Sequence, residues 1–181
     1  PHPLPRGERE SAAPTPIWDK VITMKLLFVC MGNICRSPTA EGVMRHRLQE
    51  AGLADRVHVD SAGTHNYHPG KPPDARTQKH AASRGYDLSA LRARKIVEAD
   101  FAQFDLILTM DWDNQALTEA ICPPEHLKKV RRLAEFFRRS SDTVVPDPYY
   151  GGPEDFERVL DLVEDGIDGL LAHCQRQMSK A

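Results

Sequence analysis

Short unbroken apolar runs alternate along this chain with longer stretches in which apolar residues return every third or fourth position. Behind its leading lysine, "KLLFVC" (25–30) is such a run, suited to a strand buried on both faces. Ala40, Val43, Met44, Leu48 and Ala51 then recur at helical spacing, and Gly52 supplies a C-terminal stop. "RVHVDSAG" predicts a second strand, and "PPDARTQKHAASRGY" a second helix that opens on prolines and ends at Gly85. "FDLILTM" predicts a third strand, "WDNQALTEAI" a helix after it, and "KVRRLAEF" a weaker fourth strand whose charges suit an edge or, alternatively, a helix. Phe156, Val159, Leu160, Val163, Ile167, Leu170 and Leu171 mark one face of a long closing helix. Strands separated by helices imply an α/β fold with a parallel sheet and helices on both faces. On such sheets ligands bind beyond the carboxyl ends of the strands.

One segment stands outside this alternation. Residues 1–23, "PHPLPRGERESAAPTPIWDKVIT", are rich in proline and polar residues and show no periodicity. They read as an added leader or flexible tail, with a single domain over 24–181.

The bulk composition narrows the function. With 181 residues, 28% of them charged, and a net charge of −2, the chain carries no electrostatic footprint for nucleic acid. Arg131-Arg132 and Arg138-Arg139 make a local basic patch that reads as a solvated face. No run of about 18 apolar residues predicts a membrane span. Cys30, Cys35, Cys122 and Cys174 form no CxxC pair and no zinc-like spacing with the histidines, so reduced thiols and a cytoplasmic setting are expected. Cys122 and Cys174 are expected to be structural.

The candidate chemistry lies at the end of the first strand, in "CMGNICRSPTAEG" (30–42). A loop between strand and helix can turn successive backbone N–H groups inward to fit a phosphate-sized anion. Gly32 permits a tight backbone and Asn33 tolerates a left-handed conformation. Ser37 suits a helix cap, Pro38 the first helical position and Glu41 the first turn. Arg36 can grip two phosphate oxygens with its planar fork. A cysteine facing a helix N-terminus and an arginine is placed to react as a thiolate. Cys30 is therefore a candidate nucleophile toward phosphorus, with Ser37 donating a hydrogen bond to the sulfur. The same residues also describe a buried strand-end cysteine beside a capped helix, and the loop alone leaves both readings open.

The wider sequence adds a resemblance. "FVCMGNICRSPTAEG", "DSAGT", "PPDAR", "ILTMDWDN" and "DPYYGG…DFERVLDLVEDGIDGL" together resemble the low-molecular-weight protein tyrosine phosphatases, from about Lys25 to Cys174. The resemblance implies a four-stranded parallel sheet of flavodoxin-like type and no metal or organic cofactor. It places the nucleophile on Cys30, the phosphate- and transition-state-binding arginine on Arg36, and the general acid/base on Asp147. Met31, Gly32, Asn33, Ile34, Cys35 and Ser37 fall in the supporting loop. Tyr67, Tyr149 and Tyr150 fall where substrate is expected to be walled in. Where Cys35 accompanies the nucleophile, the family is known for a reversible disulfide between the two, which would close here as Cys30–Cys35. Asp111 is expected to cap the following helix without doing chemistry.

Phosphotyrosine-containing proteins are the implied partners, and the molecule is expected to be a monomer or a weak homo-oligomer. Arsenate reductases resemble the same loop but need further cysteines near the third strand, and here none follows until Cys122. Protein-arginine phosphatases tend to carry a threonine where this chain has Ile34, whose apolar bulk favours an aromatic ester. An inactive phosphate-binding module would lack the nucleophile, the arginine or the acid, and all three residues are present. His65 and His68 have no evident third ligand for a metal.

Overall fold

The computed structural model describes residues 23–180. The proposed leader therefore lies outside the described residues except for Thr23. That residue is exposed, but its backbone and side chain both hydrogen-bond the Arg56 carbonyl.

Four strands form one sheet: β1 (Met24–Cys30), β2 (Val57–Gly63), β3 (Leu106–Thr109) and β4 (Val130–Arg132). Their order is β2-β1-β3-β4, and every pair is parallel. The α/β fold with a four-stranded parallel sheet is thus present, down to the edge position of β4. Side chains of β1 alternate between two cores, as the period of a strand requires. Leu26, Phe28 and Cys30 face the larger one, beneath α1 (Arg36–Glu50) and α5 (Pro153–Ser179). Leu27 and Val29 face a smaller one with Phe101 and Phe104, in and beside α3 (Glu98–Gln103). α2 (Ala75–Ser83) packs on α5, and α4 (Trp112–Ile121) lies against β3 and β4.

Two expectations need correction. The fourth strand is only three residues long, because "LAEF" turns into a 3₁₀ segment at Leu133–Phe136 that packs on α5. Gly169 of α5 sits directly against the Phe136 carbonyl, where no larger residue fits. The short α3 and a 3₁₀ turn at Pro124–Lys129 were not predicted, being only six residues each.

The topology fixes where a site can form. From β1 the chain crosses to β2 on one side, and β3 then returns to the other side of β1. The carboxyl end of β1 is therefore the switch point of the sheet, where flanking connections diverge and leave a crevice.

Candidate active site

Cys30 closes β1 and Arg36 opens α1, so residues 31–35 must reverse the chain at the switch point. The carbonyls in this stretch are tied to segments outside it. Cys30 O accepts from Thr64 N at 2.8 Å, Met31 O from His65 N at 3.0 Å and Ile34 O from Asp74 N at 2.9 Å. Cys35 O accepts from both the backbone N (3.3 Å) and the hydroxyl (2.7 Å) of Thr39. The amides of residues 31–36 donate to no acceptor among the described residues, leaving a run of N–H groups for an anion. Asn33 holds the left-handed conformation at φ 56°, as expected. Gly63 is required for space: a Cβ there would lie 2.7 Å from Met31 O and 3.2 Å from Asn33 N.

Behind the loop runs a directed chain of hydrogen bonds. Asn33 Oδ1 accepts from Arg94 N at 3.0 Å, while its Nδ2 donates to Ser61 Oγ (2.9 Å) and Ser37 Oγ (2.8 Å). Ser61 in turn donates to Glu41 Oε1 at 2.7 Å. Because the Asn33 amide already fills an acceptor position of Ser37, the Ser37 proton is free to point away from it. Its neighbours are Cys30 Sγ at 3.0 Å and Ala62 O at 3.4 Å; a thiolate at Cys30 could only accept, and Ser37 would then be its donor. This corrects two readings. Ser37 lies inside the first turn of α1 and caps nothing, since the N-cap position is Cys35 and has no side-chain cap. Glu41 is buried beyond the first turn. Burial raises its pKa against the pull of Ser61 and Arg45, and its role is to anchor Ser61.

Arg36 is almost wholly buried, at 2% exposure. Its Nη1 donates to Asp111 Oδ2 at 2.6 Å and to Val145 O at 3.0 Å, which fixes the plane of the fork. Its Nη2 lies 3.7 Å from Asp147 Oδ2. Burial works against the guanidinium charge, but Cys30, Asp111 and Asp147 outweigh it and raise the pKa. Asp111 caps α4 through Asn114 N at 2.7 Å, as expected, and its other oxygen holds Arg36, which was not. Asp147 is the exposed partner: its Oδ1 accepts from Tyr149 N at 3.1 Å and its side chain remains 42% accessible.

These groups meet in one pocket of about 250 Å³. Cys30, Cys35 and Arg36 line it together with Met31, Gly32 and Ile34 of the loop. Tyr67 and His68 come from one side of the chain, Asp147, Tyr149 and Tyr150 from the other. Tyr67 stacks on His65 at 4.8 Å, and Tyr149 meets Tyr150 edge-on at 4.9 Å. Every predicted site residue is accounted for: Asn33 and Ser37 are buried behind the pocket, and the others line it. His68, Ser61, Glu41, Arg94 and the Arg36 contact of Asp111 were missed. His68 had a local signal, its place next to Tyr67. The others act through contacts distant in sequence. Burial pushes the Cys35 thiol up to about 12, so it stays protonated at neutral pH. The arrangement therefore offers a sulfur nucleophile, an anion cradle, a fixed guanidinium and an accessible carboxyl group around one small volume.

Comparison with known proteins points the same way. The family model described as "Low molecular weight phosphotyrosine protein phosphatase" matches residues 25–180. A low molecular weight protein-tyrosine-phosphatase of Streptomyces coelicolor is 41% identical over 160 residues, covering 87% of this chain and 97% of that protein. A low molecular weight phosphotyrosine protein phosphatase of Homo sapiens is 40% identical over 138 residues, 76% of this chain and 87% of its own. A crystal structure of a protein tyrosine phosphatase from Entamoeba histolytica superposes with a TM-score of 0.83 at 42% identity, covering 86% of this chain and 99% of that one.

Proposed function

The chain belongs to the low molecular weight phosphotyrosine protein phosphatase family of hydrolases, and from that premise we propose that it hydrolyses phosphotyrosine through a cysteinyl-phosphate on Cys30. The observation that carries this reading is the convergence of Cys30, the buried Arg36 fork and the accessible Asp147 carboxyl group on one pocket.

In the first step the Cys30 thiolate attacks phosphorus, and the bond from phosphorus to the phenolic oxygen breaks. Asp147 in its acid form passes its proton to that oxygen, so tyrosine leaves neutral. The amides of residues 31–36 and the Arg36 fork hold the equatorial oxygens as charge redistributes. In the second step the Asp147 carboxylate takes a proton from water, whose oxygen attacks phosphorus. The S–P bond breaks, and the Ser37 hydroxyl supports the departing thiolate at 3.0 Å. Tyr67, Tyr149 and Tyr150 wall the phenyl ring, and aromatic contacts of this kind contribute about 0.5–1.5 kcal/mol. Cys35 is the partner for a protective Cys30–Cys35 disulfide: a peroxide oxidises Cys30 to its sulfenic acid, and the Cys35 sulfur then forms the S–S bond as the sulfenic oxygen leaves as water. The protonated state of Cys35 at neutral pH slows this second step, because the attacking form is the thiolate.

The test is p-nitrophenyl phosphate turnover under reducing conditions by wild type, Cys30→Ser and Asp147→Ala, with phosphotyrosine and phosphoarginine peptides alongside. Cys30→Ser abolishes turnover, and Asp147→Ala lowers it by about 10²–10⁴. The Asp147→Ala loss is larger with phenyl phosphate, whose leaving group needs the proton more. An inactive wild type overturns the enzyme reading. A strong preference for phosphoarginine keeps the mechanism and overturns the substrate.

A further inference from the structure

We propose that Trp112 and Arg132 form a second anchoring point at the rim, which takes the carboxylate of an acidic side chain about three residues from the phosphotyrosine of the substrate. The proposal rests on the phosphotyrosine reading above and extends it from the pocket to the surrounding polypeptide.

α4 is inverted relative to an ordinary surface helix. It buries Asn114 and Thr118, at 1% and 0% exposure, and presents Trp112, Leu117 and Ile121, at 55%, 45% and 48%. The Arg132 guanidinium carbon sits 3.5 Å from the centre of the Trp112 ring. An arginine fixed this way loses little freedom on gripping a carboxylate. Glu135 Oε2 accepts from the Arg132 backbone amide at 2.7 Å, but no carboxylate pairs with the Arg132 side chain among the described residues, and its buried Nε has no acceptor there. The neighbouring Arg131, by contrast, is paired with Glu135 and lies over Phe136. The Arg132 guanidinium is thus held against a half-exposed aromatic ring with no ion-pair partner among the described residues. Asp113 is exposed too, but one residue on it lies about 100° round the helix from Trp112.

Position ties this pair to the site. Trp112 directly follows Asp111, whose carboxylate holds the pocket arginine at 2.6 Å. Arg132 stands in register with Thr109, and Thr109 with Val29, the residue before Cys30. Two strand spacings make about 10 Å, which an extended peptide covers in about three residues. A substrate chain leaving the pocket on this side brings a side chain at that distance to the Trp112–Arg132 pair.

The experiment measures kcat/KM for phosphotyrosine peptides that differ only in carrying Glu, Ala or Lys three residues before or after the phosphotyrosine. The enzymes are wild type, Trp112→Ala, Arg132→Gln and Arg132→Glu. The wild type prefers Glu over Ala on one side by about three- to tenfold at low salt, and by less at about 0.5 M salt. The difference sits in KM. Arg132→Gln erases it, Arg132→Glu shifts the preference to the Lys peptide, and Trp112→Ala weakens it by loosening the arginine. Turnover of p-nitrophenyl phosphate, which reads the pocket without the rim, checks that each variant is folded. Trp112→Ala, on the exposed face, keeps the test open if an Arg132 variant fails to fold. A flat ranking of peptides by the wild type, or a Glu preference that survives Arg132→Glu, overturns the proposal. Absence of turnover on every phosphotyrosine peptide instead overturns the phosphatase reading on which it rests.

Discussion

Replacing Asp165 with alanine tests how the loop that carries Asp147 is held. Asp165 lies in the middle of α5, almost fully buried, and accepts from three consecutive backbone amides. Arg138 N reaches Oδ1 at 3.0 Å, Arg139 N reaches both oxygens at 3.1 Å, and Ser140 N reaches Oδ2 at 2.9 Å. Burial opposes the charge on this carboxyl, but the three amides and the Arg139 charge outweigh it and hold its pKa below the ordinary range. In Asp165→Ala all three donors lose their acceptor. Arg138 and Arg139 are exposed residues, so water can reach their amides, and about 1 kcal/mol per donor is the appropriate end of the usual range. The expected loss is about 3 kcal/mol, or a Tm lower by about 6–12 °C for a domain of this size. Asp165→Asn keeps one accepting oxygen and should lose about half as much.

The sign with pH follows from the depressed pKa. The contribution is complete above the unfolded value of about 3.9 and disappears as pH falls through the folded value. The gap between wild type and Asp165→Ala in urea unfolding should be constant from about pH 5 to 7 and narrow as pH falls below about 4. Turnover should fall less than about tenfold, because Val145 is pinned separately through Met110 O and Arg36. A gap under about 0.5 kcal/mol at pH 7, or one that does not narrow in acid, would refute the reasoning.

Other substitutions probe the site from different sides. Gly63→Ala pushes a methyl group against the Met31 carbonyl and should lower kcat about 100-fold while costing about 1–3 kcal/mol, read by p-nitrophenyl phosphate kinetics and thermal unfolding. Arg36→Lys cannot hold Asp111 and the Val145 carbonyl while presenting a second nitrogen to phosphate, so kcat/KM should drop by about 10²–10³ and competitive inhibition by inorganic phosphate should weaken. The buried thiols of Cys35 and Cys174 both have pKa values pushed up to about 12, so the unfolded chain releases their protons first as pH rises above about 9. Stability should then fall by about 1.4 kcal/mol per pH unit for each group. The Cys35→Ser, Cys174→Ala double variant should flatten that alkaline slope in urea titrations.

The chemistry of the loop was legible because Cys30, Asn33, Arg36 and Ser37 lie within eight residues and follow an apolar run that could only be a buried strand. The sheet and the closing helix were legible for a similar reason, since hydrophobic period is local information. What sequence could not supply is the company these residues keep. Asp111 reads as a helix cap from its position before "WDN", and nothing local says that its second oxygen receives Arg36, 75 residues away in sequence. Ser37 reads as a cap because serine before proline usually is one. Its hydroxyl is redirected because Asn33 donates to it and Cys30 lies 3.0 Å away. Asp165 breaks the polar rule of a buried helix face, and the three amides it satisfies come from a loop whose path no periodicity encodes. β4 was overextended because "LAEF" continues an apolar pattern, whereas packing against α5 bends it into a 3₁₀ turn.

The loop around Cys30 is anchored chiefly through main-chain atoms: its carbonyls go to Thr64, His65 and Asp74, and its amides donate to no acceptor among the described residues. The shape of the cradle is therefore indifferent to most side chains mounted on it. Met31 and Ile34 line the pocket without holding it in place, so they can change under selection for new substrates while the reacting centre stays put. A scaffold of this kind separates what is invariant in its chemistry from what is negotiable in its diet. It gives descendants a way to acquire new targets by changing two apolar residues and a rim, with no step at which the cradle has to be rebuilt.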